Sequence, residues 1–303
     1  MDHRNRPGLA GRFIATLVML AALSLPVAAA PVKLKVGLMP AVDAAPMLLA
    51  AERGYFAAEG VEVELIVFPS ANERQVALQT GAVDGTITDL VAFVYNVQGG
   101  FDLRIASSTD GAFPFLVRKG FVETRSVRVA MMEVSVSNYL ADAWLAGRYE
   151  IEKIFITEIP ARLEMIKAGK IDMACLPEPI ASMGQLAGLE KREFENPDGY
   201  YPDILAFTAK AAAEKLDAIR RFNRAVDRAV ADLAKDPELA RRLLVVKLKL
   251  DPRVESLMTL PTWHATRMPG DAYLAKVSAW IAGLQGKPVA LDWSKYLLRE
   301  ALP

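Results

Sequence analysis

Arg74 and Arg162 are the residues of this chain best placed to do chemistry. Each falls in the first turns of an expected helix, where a cation opposes the helix dipole by about 0.3–1 kcal/mol. Each is followed at the same intervals by glycine and aspartate: Arg74, Gly81 and Asp84 recur as Arg162, Gly169 and Asp172, 88 positions further on. A cation so placed needs a negative partner. That partner is either a structural carboxylate, with Glu73 and Glu158 close by in sequence, or an anionic ligand clamped between two guanidinium groups.

Expected helix starts supply further candidates. Ser70-Ala71-Asn72-Glu73 fits the S-x-x-E capping box, and its hydroxyl and free N–H groups suit an anion or a carbonyl as well as a simple cap. Asp43-Ala44-Ala45 follows the first strand, where small residues let a ligand approach the backbone or merely form a turn. Thr88-Asp89 ends another strand, and Asp89 either meets a cationic or amino group or caps the next helix. Ser135, Ser137 and Asn138 repeat the helix-start arrangement farther along.

Alternating strands and helices must position these residues. From Val36 to Ala92 the chain reads strand, loop, helix, strand, loop, helix, strand, so its polar loops collect at the carboxyl edge of a sheet, where open α/β folds bind ligands. Strands are expected over Leu34–Met39, Val61–Phe68, Val83–Thr88 and Leu103–Ser108, with Phe113–Val117 extended. The same grammar restarts at Val127, with strands at Arg128–Met131, Lys153–Ile159 and Asp172–Leu176, and one more at Ile204–Thr208. Beyond Ala211 the pattern is helical to the end, with Leu291–Leu302 as the last helix. The 88-residue repeat falls on both sides of Phe113–Val117, as two similar lobes would.

Composition narrows the function. A chain of 303 residues accommodates roughly two domains of about 100–200 residues. Lys+Arg and Asp+Glu are equal at 36 each, so no net field argues for nucleic acid or an anionic membrane. The single cysteine, Cys175, sits in an apolar run and reads as a buried structural thiol, with no disulfide framework available. His264 is the one histidine outside the first residues, which leaves no metal constellation, no cofactor site and no Ser-His-Asp or Cys-His arrangement inside the lobes. At the amino terminus, Arg4, Arg6 and Arg12 precede the apolar run Phe13–Leu25, Pro26 and a small-residue patch. That is the grammar of a cleaved secretory signal over residues 1–29.

The opening KLKVGLMPAVDAAPMLLAAERGYFAAEGVEVELIVF resembles the amino-terminal lobe of type II periplasmic solute-binding proteins, and more narrowly the NMT1/THI5-like group of nitrate, taurine, sulfonate and thiamine-precursor receptors. ALQTGAVDG, MIKAGKIDMACLPEPIASMGQLAG and LDWSKYLLREALP follow in that family's order. The resemblance implies an α/β fold of two lobes joined by a two-strand hinge, with a helical carboxyl-terminal region. Lobe one would comprise residues 31–114 and 206–303, and lobe two residues 115–205, with crossings near Phe113–Val117 and Ile204–Thr208.

The resemblance also implies capture of a small molecule of the sulfonate, carboxylate or vitamin-precursor class. Delivery would be to an ABC permease and its ATPase in the inner membrane, by a monomer in the periplasm. Pro177-Glu178 resembles the family's cleft-lining Glu-Pro loop; Glu178 would meet ligand, bridge the lobes or cap a helix. Of the aromatics Phe93, Tyr95, Tyr139, Trp144, Tyr200 and Tyr201, any that face the cleft could stack on a ring. Relatives of this fold that make the thiamine pyrimidine are enzymes, but they use an active-site histidine and a cysteine-rich iron motif that this chain lacks. The sequence reading is therefore a receptor rather than an enzyme.

Overall fold

The computed structural model describes residues 32–303; the expected signal, residues 1–29, lies outside them. The described part opens with β1 (Lys33–Leu38), a 3-10 turn at Val42–Ala44, α1 (Ala45–Glu52), α2 (Tyr55–Ala58) and β2 (Glu62–Val67). It continues through α3 (Ala71–Gln79), β3 (Gly85–Asp89), α4 (Leu90–Gln98) and β4 (Leu103–Ser108). The second lobe has β5 (Phe115–Val117), β6 (Ser126–Met131), α5 (Val136–Leu145), β7 (Glu150–Phe155), α6 (Ile159–Lys167), β8 (Met173–Cys175), α7 (Ile180–Leu186) and β9 (Glu190–Arg192). The chain then returns through β10 (Asp203–Thr208) to α8 (Ala209–Glu214), α9 (Leu216–Lys235), α10 (Glu238–Lys247) and α11 (Asp271–Gln285).

Two five-stranded sheets result, in the orders β2-β1-β3-β10-β4 and β7-β6-β8-β5-β9. The strands linked by helices pair in parallel, as crossover connections require, while β10 and β5 enter antiparallel. The chain passes between the sheets over residues 109–114 and 193–202. Ile204–Thr208, expected as the return crossing, belongs to β10 and already pairs with β3 and β4 inside the first sheet. A short strand that the sequence reading omits, β9, closes one edge of the second sheet by pairing with β5.

The 88-residue repeat has a structural basis. Asp84 accepts the Lys35 N–H at 2.8 Å, and Asp172 accepts the Arg128 N–H at 2.9 Å, so each aspartate ties the end of one strand to its parallel neighbour. Each is also bound by a cation from elsewhere in the chain, Lys215 for Asp84 and Arg118 for Asp172. Gly81 and Gly169 stand just past their helices at φ of +73° and +69°, the left-handed exit that glycine adopts without a Cβ clash. At Gly85 the requirement is space: a Cβ would lie 2.4 Å from Phe207 Cδ1 and 2.7 Å from the Ala206 carbonyl oxygen.

The core forms on three faces. One cluster joins β4, α4 and α11 to β5, β6 and α5, so apolar packing is continuous between the two sheets. A second places α1 and the amphipathic α9 against β1, with Phe56 and Phe222 stacked 4.9 Å apart. A third covers the other face of the second sheet with α6 and α7.

The expected helix at Leu291–Leu302 is absent. Only 3-10 turns occur there, at Trp293–Lys295 and Arg299–Ala301. The backbone bonds instead to the edge strand β4: Ile105 N–H donates to the Tyr296 carbonyl at 2.7 Å, and Leu298 N–H to the Ile105 carbonyl at 2.8 Å. The end of the chain covers an edge that would otherwise stand open.

Candidate functional site

A cavity of about 400 Å³ lies between the carboxyl ends of the parallel strands of both sheets. The first lobe lines it with Asp43 from the turn after β1, Ala71, Asn72 and Arg74 from α3, and Thr88 and Asp89 from the end of β3. From the second lobe come Ser135 and Ser137 at the start of α5, Arg162 from α6, and Pro177 after β8. The helix starts read from the sequence therefore converge on one space.

Both arginines are buried, Arg74 at 8 % exposure and Arg162 at 3 %. Arg74 donates to Thr88 Oγ1 at 3.3 Å. Arg162 donates through Nη1 to the Cys175 carbonyl at 3.0 Å and to Ser137 Oγ at 3.3 Å. Neither forms an ion pair among the described residues, and the Nε of each lacks any hydrogen-bond partner. Burial lowers the pKa of both, against the opposing pull of Asp89, Asp43 and Asp203 on Arg74 and of Cys175 and Glu158 on Arg162. A guanidinium nonetheless stays charged. Glu73 is not the partner of Arg74, since its carboxylate accepts from Ser70.

The acids on the first wall differ in how they are held. Asp89 caps α4, accepting the Ala92 N–H at 2.8 Å. Burial raises its pKa; the Ala92 amide, the Arg74 charge and the amides of Val136 and Val91 counteract this, and Val136 belongs to the opposite lobe. Asp43 is raised to about 6, chiefly by burial, with the Arg74 charge opposing. Asp203, at the first position of β10, is raised well above the usual carboxylate range by burial and by the neighbouring Asp43 and Asp89 carboxylates.

Four candidate residues lie off the cavity lining. Ala44 is fully buried in the core under α1. Ser70 caps α3, accepting the Glu73 N–H at 3.2 Å, as the capping box requires. Asn138 is fully buried, donating to the Glu133 carbonyl and accepting from Lys153. Glu178 is also fully buried and accepts from Lys191 at 2.7 Å, from Ser182 Oγ and N–H, and from the Thr259 N–H. Its own carbonyl accepts the Val42 N–H at 3.0 Å, so Glu178 takes the interlobe role rather than facing the cavity.

Other lining residues are absent from the sequence reading. Asp203 is the most consequential, and the available signal was an acid at the mouth of the returning strand. Gln75 and Asn96 meet through a 2.5 Å hydrogen bond on the rim. Phe113 comes from the first passage between the sheets. Of the aromatics singled out by sequence, Tyr95 lines the cavity. Phe93 packs against Trp293, Tyr139 against Trp280, Trp144 against Phe194 and Tyr201 against Phe113, while Tyr200 stacks on Tyr273. Cys175 is fully buried, and burial pushes its thiol up to about 12, which removes it as a nucleophile. Among the described residues no group of His, Cys, Asp and Glu is arranged to hold a metal ion.

Residues 28–113 match the NMT1-like family. No curated protein matches the sequence. Solved structures do match in fold. The ligand-binding component of an ABC-type import system from Staphylococcus aureus, solved with zinc bound, superposes with a TM-score of 0.74 at 12 % identity, over 88 % of this chain and 96 % of that one. The periplasmic aliphatic sulphonate-binding protein SsuA from Escherichia coli gives 0.69 at 18 %, over 89 % and 99 %. The desulfurization enzyme DSZB gives 0.62 at 13 %, over 89 % and 98 %. The fold thus carries both receptors and an enzyme, and function must be argued from the site. The chain thus has the fold of the periplasmic binding proteins, and its family match is confined to residues 28–113.

Proposed function

We propose that this chain is an extracytoplasmic solute receptor: it captures a small anionic or polar molecule between its lobes and presents the closed form to an ABC permease and its ATPase. One observation carries the reading. Two buried guanidinium groups, one from each sheet, face a single cavity with no ion-pair partner and with an unpartnered Nε each. Arg162 has no carboxylate bonded to it, and Arg74 lies near Asp43, Asp89 and Asp203 but hydrogen-bonds to none of them; an anion between the lobes would satisfy both Nε groups at once. Ser137, which accepts from Arg162 at 3.3 Å, orients that group.

Closure follows from the same geometry, because neither lobe alone holds the full set of contacts. Moving lobes from 1 % to 99 % closed requires about 5.5 kcal/mol of preference for the closed form. A few charge-assisted hydrogen bonds at roughly 1.5–3 kcal/mol each supply it. The signal-like amino terminus and the fold support a periplasmic site of action, and no helix among the described residues is long and apolar enough to cross a membrane. Turnover has little to draw on: the thiol of Cys175 is inert, and His264 lies off the cavity lining.

A thermal-shift screen of sulfonates, nitrate, carboxylates, amino acids and vitamin precursors tests the proposal. We expect at least one class to raise Tm, and Arg74→Gln and Arg162→Gln each to remove that shift. A screen without any stabilising ligand, or shifts unchanged in both variants, overturns it.

A further inference from the structure

The chain passes twice between the sheets, over residues 109–114 and 193–202, and one arginine touches both passages. Arg267 lies in the irregular stretch that leads into α11. Its backbone is fixed to the first lobe. The Arg267 carbonyl accepts the Ser108 N–H at 2.7 Å at the end of β4, and the adjacent Thr266 donates through its N–H and Oγ1 to Asp227 of α9 at 2.6 and 2.7 Å. The side chain reaches outward. Nη2 donates to Asp110 Oδ1 at 3.0 Å in the first passage and to the Gly199 carbonyl at 2.7 Å in the second, and the guanidinium lies 4.2 Å from the centre of the Tyr200 ring. Asp110 is buried and also accepts the His264 N–H at 2.8 Å, so the carboxylate that Arg267 grips is itself held in place.

The passages also meet each other at this level. Thr109 N–H donates to the Asp203 carbonyl at 3.0 Å, and a Cβ on Gly111 would lie 2.7 Å from Asp203 Oδ2. Both therefore leave the first lobe side by side, and any swing of the second lobe must pivot beyond the point where Arg267 holds them. Arginine suits this place because its planar fork donates to two acceptors while its face stacks on a ring, which an ammonium does not reproduce. Arg267 does not line the cavity, so its effect on the cavity runs through the passages. We infer that Arg267 is the positioning residue of the hinge: it pins both passages to the first lobe and so holds the two walls of the cavity at their resting separation. This role goes beyond the receptor reading and is the same whatever fills the cavity.

The test is the distance between the lobes in the unliganded protein. Val67 and Phe155 are exposed and end the outermost strands, β2 and β7, on opposite rims of the cavity. Nitroxide labels on Val67→Cys and Phe155→Cys report their separation by pulsed electron spin resonance, and the fully buried Cys175 escapes labelling. We expect one dominant distance in this parent. Arg267→Met loses two charge-assisted hydrogen bonds, so the ratio of longer-distance to shorter-distance molecules should rise by about ten-fold or more. Arg267→Lys should fall between the two, and a thermal melt shows that each variant is folded. A distribution in Arg267→Met that matches the parent, whatever its Tm, makes the residue a structural pin and overturns the inference, as does a parent without a dominant distance. Should Arg267→Met not fold, Arg267→Lys and Asp110→Asn are measured in its place, and parental distributions in both overturn it. No ligand is added, so such a failure leaves the receptor reading standing.

Discussion

Asp203 stands directly opposite Asp89 in the antiparallel pairing of β10 with β3. Like charges at facing positions destabilise a sheet, and the structure handles the two acids differently. Asp89 accepts the Ala92 N–H at the start of α4, whereas Asp203 is raised well above the usual carboxylate range by burial and its acidic neighbours. The returning strand thus delivers to the cavity a carboxyl group that the unliganded protein does not stabilise in its charged form.

The same strain has a pH signature at Asp43, whose pKa rises from 3.8 to about 6 on folding, mainly through burial. Between those values the folded chain holds the proton more tightly than the unfolded chain. The stability contributed by this group is thus complete below the unfolded value and is lost as pH rises through about 6. Asp43→Asn should therefore stabilise the unliganded protein at pH 7–8 by roughly 1–3 kcal/mol and flatten the loss of stability across that acid window. Urea unfolding at several pH values measures it; an unchanged or lower midpoint at pH 8 would contradict the burial argument.

Removing either arginine should weaken ligand binding with little effect on the fold. Each guanidinium offers charge-assisted hydrogen bonds of about 1.5–3 kcal/mol, so Arg162→Gln should raise Kd by about 10- to 100-fold. Arg162→Lys should recover only part of that, because an ammonium does not reproduce the planar fork. Titration calorimetry with a hit from the thermal screen decides the matter, and wild-type Kd in Arg162→Gln would assign the residue to structure alone.

Glu178 and Lys191, both in the second lobe, form a buried pair that holds Leu257 and Thr259 of the carboxyl-terminal region. Lys191 Nζ donates to Glu178 at 2.7 Å, to the Leu257 carbonyl at 2.6 Å and to Thr259 Oγ1 at 2.9 Å, so strand β9 of lobe two is tied to the carboxyl-terminal part of lobe one. Breaking a buried pair by removing one partner is destabilising by about 3–5 kcal/mol. Lys191→Met should show a loss of that order in chemical denaturation, and Lys191→Met with Glu178→Gln a smaller one. A loss in the double variant equal to the sum of the losses in Lys191→Met and Glu178→Gln alone would mean that the pair is not coupled.

Gly85→Ala tests the packing of β3 on β10. A Cβ at this position meets both a ring carbon and a backbone oxygen at under 3 Å, and overpacking of this kind destabilises by typically 1–3 kcal/mol. We expect a fall in Tm of several degrees, read by calorimetry. An unchanged Tm would show that Phe207 can move aside.

Ligand-driven closure should be visible in solution. With a stabilising ligand from the screen at saturation, the radius of gyration from X-ray scattering should fall. An identical profile with and without ligand would argue that the lobes do not move.

Much of this molecule was legible in its sequence. Strand–helix alternation, the caps at Ser70, Asp89 and Ser135, and the glycine exits at Gly81 and Gly169 all appear where they were read, because each depends on a few adjacent residues. The same locality explains the misreading of Leu291–Leu302. Its helical pattern is real, but bonding to the open edge of β4 satisfies the same backbone groups through a distant partner. The cavity depended on distance in another way. The sequence alone determined which loops start helices at a sheet edge, and so which residues were candidates. Only the tertiary structure decided that Asp203, coming back along an antiparallel strand, would join Asp43 and Arg74 in the cavity, and that Glu178 would turn away from it to meet Lys191 and Thr259. Burial and pairing between separate elements are properties of the fold, and no local pattern encodes them.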